Sequence, residues 1–155
     1  LKIFAVRQFA ICIFQFVICN SFCKGVGSLG DTSKTILTVE NDKDSREMLV
    51  DIVRSLGYHP LEAQNAREAL SILQKEVVDL MLLDIHMPGI RGTQLLKFLR
   101  DQGHQIPVIV VSGYLQKNTF QELSGLNVHA ALAKPFLVKR LTDEIQKVFE
   151  SEQTT

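Results

Sequence analysis

Cysteine is scarce and confined: all three lie within the first 23 residues. The remainder therefore has neither a disulfide framework nor a Cys-based zinc site. Neither sign of charge dominates, with 17 basic residues against 17 acidic ones. A polyanion binder usually carries a basic surplus, so direct nucleic-acid binding is not expected. No apolar run reaches membrane-spanning length without interruption. The longest, Phe9–Phe22, still contains Gln15, Asn20 and Ser21, and as a helix it would rise only about 21 Å against a hydrocarbon core of ~30 Å. What is present is 46% hydrophobic residues in 155, enough for one well-formed core and excluding a disordered or collagen-like chain.

The two ends differ. Residues 1–30 carry Lys2, Arg7 and Lys24 and no acid, leaving 14 basic and 17 acidic residues in 31–155, a net charge of −3. Extending the apolar run back to Ile3 gives it 20 residues, but places Arg7 and Gln8 inside it. Three readings stay open for this segment. It is a marginal membrane anchor, a signal-peptide apolar core without a clean small-x-small cleavage site, or sequence foreign to the natural protein. The last is the one expected, since the chain starts at Leu1 and its first methionine is Met48. Membrane contact is expected only if residues 1–23 are native. Gly25–Lys34 (GVGSLGDTSK) reads as a turn-rich linker. The expected organisation is an extension and linker over 1–33, one domain over 34–150 and a polar tail over 151–155.

From Thr35 strands alternate with helices. Thr35–Val39 is a β-branched strand followed by Glu40, Asn41 and Asp42. The next helix is capped by Asp42 or Asp44, has Met48, Ile52, Val53 and Leu56 on one face, and stops at Gly57. A weak strand at His59–Ala63 leads to a helix over Ala66–Lys75. Val77–Leu83 is nearly all apolar, as a strand buried on both faces should be, and ends at Asp84. After the Met87-Pro88-Gly89 turn comes a helix over Gly92–Arg100 with Leu95, Phe98 and Leu99 inward. Pro107–Val111 is a central strand ending at Ser112-Gly113. A helix over Gln116–Leu123, a strand over Val128–Ala133 ending at Lys134-Pro135, and a helix over Leu137–Phe149 complete the series. Phe98, Phe120, Phe136 and Phe149 are assigned to the core.

Five strands alternating with five helices predict a doubly wound α/β domain with a five-stranded parallel sheet and helices on both faces. Ligands in such sheets bind outside the carboxyl ends of the strands. The residues there are Glu40, Asn41, Asp42, Asp84, Ser112 and Lys134: acids, a hydroxyl and a lysine, the chemistry of a divalent-cation and phosphoryl site. His59, His86, His104 and His129 show no i, i+4 pairing and are given no zinc role.

Four motifs fall at those strand ends: the acidic cluster after TILTV, LLDIHMPG around Asp84, VVSGY around Ser112, and AKPF around Lys134. Together, over about Lys34–Phe149, they resemble the receiver domain of two-component response regulators. The resemblance implies a flavodoxin-like strand order 2-1-3-4-5 and Asp84 as phosphoryl acceptor. It also implies Mg²⁺ held by Glu40, Asn41, Asp84 and the backbone carbonyl of His86. Lys134 and Ser112 would meet the phosphoryl oxygens, and Lys134-Pro135 would be cis. The implied partner is a sensor histidine kinase or a histidine phosphotransfer protein, in the cytoplasm or tethered to the inner face of the membrane. The implied role is that of a signalling domain, with at most self-phosphorylation from small donors and self-dephosphorylation. With only a polar tail after Phe149, the expected contexts are a stand-alone receiver or the C-terminal piece of a longer sensor kinase.

Two positions depart from the family pattern. Asn41 stands where a second metal-binding carboxylate is usual, so Mg²⁺ is expected to bind more weakly. Ala131 stands where an aromatic or histidine commonly swings inward, so switching would rest on Ser112 and its loop. These departures keep open a pseudo-receiver, a phosphorylation-independent protein-binding module. A haloacid-dehalogenase-type hydrolase is disfavoured, since it needs a second Asp where His86 stands.

Overall fold

In a computed structural model the described residues are 34–115 and 117–152, without the side chains of residues 117, 118 and 152. The expectations for the apolar extension at 1–33 and for the end of the polar tail fall outside them. Among the described residues no helix is long and apolar enough to cross a membrane.

The elements alternate as the sequence predicts. They are β1 (Thr35–Val39), α1 (Lys43–Ser55), β2 (His59–Ala63), α2 (Ala66–Leu73), β3 (Leu80–Leu83), α3 (Gly92–Asp101), β4 (Val108–Ser112), α4 (Lys117–Leu123), β5 (Val128–Ala133) and α5 (Val138–Glu152). All strand pairs are parallel, in the order β2-β1-β3-β4-β5. The order reverses beside β1, which places its carboxyl end next to that of β3.

The pleat sends alternate side chains to opposite faces of the sheet. Leu37, Val39, Met81, Leu83, Val108 and Val110 pack with Ala66 and Ala69 of α2 and Leu95, Leu96 and Leu99 of α3. Ile36, Leu80, Leu82, Ile109, Val111 and Leu132 pack with Leu49, Ile52 and Val53 of α1 and Leu141, Ile145, Val148 and Phe149 of α5. Each of the larger side chains among them contributes on the order of 1.5–3 kcal/mol on burial, which makes this double layer the main stabilising term. β3 is buried along its whole length, which accounts for its lack of polar alternation.

Local chemistry bounds α1 where expected. Asp42 accepts from the backbone N–H of Ser45 at 2.9 Å and caps α1. At the other end Gly57 has φ +82°. Its N–H donates to the Arg54 carbonyl, and that of Tyr58 to the Val53 carbonyl. This paired closure requires a residue at ease in the left-handed region.

Three side chains assigned inward face out. Met48 is 42%, Phe98 49% and Phe120 54% exposed. In α3 the inward stripe is Leu95, Leu96 and Leu99, and at 100° per residue Phe98 lies about a quarter-turn away from it. The same geometry turns Met48 from the stripe of Leu49, Ile52 and Val53. Phe120 borders a groove of about 290 Å³ over β5, where Ala130 and Ala131 supply little bulk to cover it. Phe149 is buried and Phe136 packs partly buried against the core, as assigned. β3 begins at Leu80 rather than Val77, which is 84% exposed. α2 ends at Leu73, two residues short of Lys75.

Gly92 is required by close approach. A Cβ there would collide with the backbone carbonyl of Asp84 and lie 2.7 Å from Ile85 Cα. Its N–H also donates to the Ile85 carbonyl at 3.2 Å. The start of α3 is thus pressed against the backbone that carries Asp84. Gly92→Ala should lower stability by about 2 kcal/mol with little change in denaturant slope, as read from urea unfolding.

Candidate functional site

The carboxyl ends of β1, β3, β4 and β5 each deliver one polar group to a shared crevice. Glu40 follows β1, Asp84 follows β3, Ser112 closes β4 and Lys134 follows β5. Glu40, Asp84 and Ser112 are buried, at 1%, 8% and 0% exposure. Buried carboxylates need partners, and these have them. Lys134 Nζ donates to Glu40 Oε2 and lies 3.7 Å from Asp84 Oδ2, bridging the two acids. Glu40 Oε1 accepts from the Asp42 N–H at 3.1 Å, and the Glu40 carbonyl accepts from Arg46 at 2.9 Å. Asp84 Oδ1 accepts from the His86 backbone N–H and from the Ser112 hydroxyl, both at 2.9 Å. The peptide bond between Lys134 and Pro135 is cis, and the Lys134 N–H donates to the Ser112 carbonyl at 2.9 Å.

Four of the residues singled out in the sequence are therefore joined into one connected set: Glu40, Asp84, Ser112 and Lys134. Asn41 is not part of it. It sits at the exposed lip of the crevice, where its backbone carbonyl accepts from Arg46 at 3.4 Å. Asp42 serves as the helix cap, and the Ser45 backbone N–H holds its carboxyl below the ordinary value. His86 enters by more than its backbone. Its Nδ1 lies 2.8 Å from Ser112 Oγ and its ring packs edge-on against Tyr114, with centroids 5.9 Å apart. No sequence pattern assigns this imidazole a role. Its position two residues after Asp84 is the signal that was there to find, but only the fold brings Ser112 beside it. Arg46, which no sequence motif marks, ties Glu40 to Glu62, 3.3 Å from its Nε.

Two buried carboxylates face one lysine, so the cluster carries an excess negative charge. Its donors are oxygens, which suit a hard divalent cation such as Mg²⁺ better than zinc. The residues present thus fit the metal that the sequence resemblance implies. The arrangement also sets a carboxylate oxygen beside a hydroxyl donor and an ammonium, the groups needed to meet an incoming phosphoryl group.

This fold and this cluster define a receiver domain. Residues 36–146 match the response regulator receiver domain family, and the chain belongs to that family. It is similar to sporulation initiation phosphotransferase F of Bacillus subtilis, at 32% identity over 115 residues, covering 74% of this chain and 93% of that protein. It is also similar to the polar-differentiation response regulator DivK of Brucella anthropi, at 28% identity over 115 residues, covering 73% of this chain and 94% of that one. Among solved structures, the CheY-like receiver domain protein from Methanospirillum hungatei superposes with a TM-score of 0.74 at 27% identity, covering 80% of this chain and 100% of its own. The response regulator TrrA of Thermotoga maritima, solved in complex with Mg²⁺ and BeF, has a TM-score of 0.67 at 29% identity, covering 74% of this chain and 98% of its own. The chain is accordingly a receiver domain of two-component signalling, a class that interacts with histidine kinases or phosphotransfer proteins.

Removing the lysine leaves two buried acids with no cation between them. Lys134→Met should cost about 3 kcal/mol in urea unfolding at neutral pH without added metal. Lys134→Arg should recover part of that loss in the same measurement.

Proposed function

We propose that this domain takes a phosphoryl group from a phosphohistidine of a sensor kinase or phosphotransfer protein onto Asp84, and that the acyl phosphate changes its affinity for a partner. The observation that carries this reading is the Asp84 carboxylate, nearly buried at the end of β3 with the Ser112 hydroxyl on one oxygen and Lys134 near the other. Asp84 Oδ2 attacks phosphorus in line as the P–N bond to the donor imidazole breaks. Lys134 offsets charge on the phosphoryl oxygens, and the Ser112 hydroxyl turns to donate to one of them. Gly113 leaves room beside Ser112. Glu40, Asp84, the His86 carbonyl and, from the lip, Asn41 would hold Mg²⁺, whose contribution is to neutralise negative charge on the transferring group.

With Ala131 in place of a larger ring, the switch would run through Ser112 and the loop into α4. A phosphorylation-independent binding role is the second reading, favoured by the neutral Asn41 at the exposed lip.

One experiment separates the two readings. The full chain is incubated with acetyl phosphate, with and without Mg²⁺, and its intact mass recorded. One added phosphoryl group, dependent on magnesium and absent in Asp84→Asn, is the expected result. A folded chain that gains nothing at saturating magnesium is a pseudo-receiver. Asn41→Asp should tighten Mg²⁺ binding by about tenfold in calorimetric titration, because it adds a formal charge to the donor set; an unchanged affinity would remove Asn41 from that set.

A further inference from the structure

The hydrogen-bonding capacity of Ser112 carries one step more. Its hydroxyl has a single proton, and an ionised carboxylate accepts only. Ser112 Oγ lies 2.9 Å from Asp84 Oδ1 and 2.8 Å from His86 Nδ1. If the serine gave its proton to the imidazole, two oxygens bearing lone pairs would face each other at 2.9 Å. The proton therefore goes to Asp84, and His86 Nδ1 must carry its own. The chain runs from His86 Nδ1–H to Ser112 Oγ, and from the Ser112 O–H to Asp84 Oδ1. Tyr114, edge-on to the imidazole with an interplanar angle of 74°, limits the ring from the outer side.

We propose that the His86 side chain is a positioning residue for phosphorylation: by donating from Nδ1 it occupies a lone pair of Ser112 and commits that hydroxyl to donation. This rests on Asp84 as the phosphoryl acceptor. Before transfer the hydroxyl donates to Asp84. Afterwards it donates to a phosphoryl oxygen, while the bond from His86 persists. A hydroxyl that already accepts a hydrogen bond is the stronger donor, since bonds in a chain polarise one another. His86 touches neither the donor nor the phosphoryl group in this scheme; it acts through Ser112.

The test pairs spectroscopy with a mutant cycle on the full chain. Nitrogen-15 NMR of the His86 ring in its neutral form should show the Nδ1–H tautomer, and Ser112→Ala should abolish that preference; an Nε2–H ring in the unmutated chain overturns the proposal. With acetyl phosphate and Mg²⁺, His86→Phe should slow phosphorylation about fivefold, the scale of one hydrogen bond. His86→Asn, whose amide N–H sits at the same bond distance from Cγ, should stay within about twofold of the unmutated rate. In a Ser112→Ala background His86→Phe should have no further effect. An equal slowing in that background, or no slowing at all, overturns the role of His86. An unmutated chain that takes no phosphoryl group overturns instead the reading of Asp84 as acceptor.

Discussion

Lys134 sits between two carboxylates that folding has removed from water, and the site depends on that bridge. Glu40 and Asp84 are held at the ends of neighbouring strands, β1 and β3, whose register leaves both acids at one edge of the sheet. Bringing two like charges together in a buried crevice is unfavourable, and one ammonium offsets only part of it. The remaining negative charge is of the kind a hard divalent cation can neutralise. Affinity for a cation and local instability are thus two consequences of the same crowding.

The surroundings keep that crowding in place. The Asp42 N–H fixes one oxygen of Glu40, and Arg46 fixes its carbonyl. Gly92 lets the first turn of α3 press on the Asp84 backbone. The Lys134 N–H bonds to the Ser112 carbonyl, tying the ends of β4 and β5 together. A further tie lies at the opposite edge of the same strands. Arg100 donates to the carbonyls of His104, Ile106 and Leu126 at 2.7–2.8 Å, joining the loop before β4 to the loop before β5. Partial burial of its guanidinium lowers the Arg100 pKa from its ordinary value. It stays charged nonetheless, since an arginine cannot be deprotonated in a protein.

The small residues of β5 set this chain apart from the pattern its motifs resemble. Ala130 and Ala131 leave a groove beside α4 and leave Phe120 exposed at its edge. Any movement of the Ser112 loop would therefore meet little bulk on β5, and α4 is the shortest of the helices described.

The alternation of apolar runs with capped helical stripes was written in the sequence, and so were strand order, through the motif resemblance, and the placing of Glu40, Asp84, Ser112 and Lys134 at strand ends. These follow from local rules: a fully buried strand such as Leu80–Leu83 must be apolar throughout, and a ligand site in such a sheet must lie past the strand ends. Tertiary structure decided what periodicity cannot resolve. It turned Phe98 and Met48 outward, because a rotation of one residue separates a core stripe from solvent. It left Asn41 at the exposed lip. It gave the His86 imidazole a partner 26 residues away, because a contact between two strand ends depends on the register of β3 against β4, which no local pattern encodes.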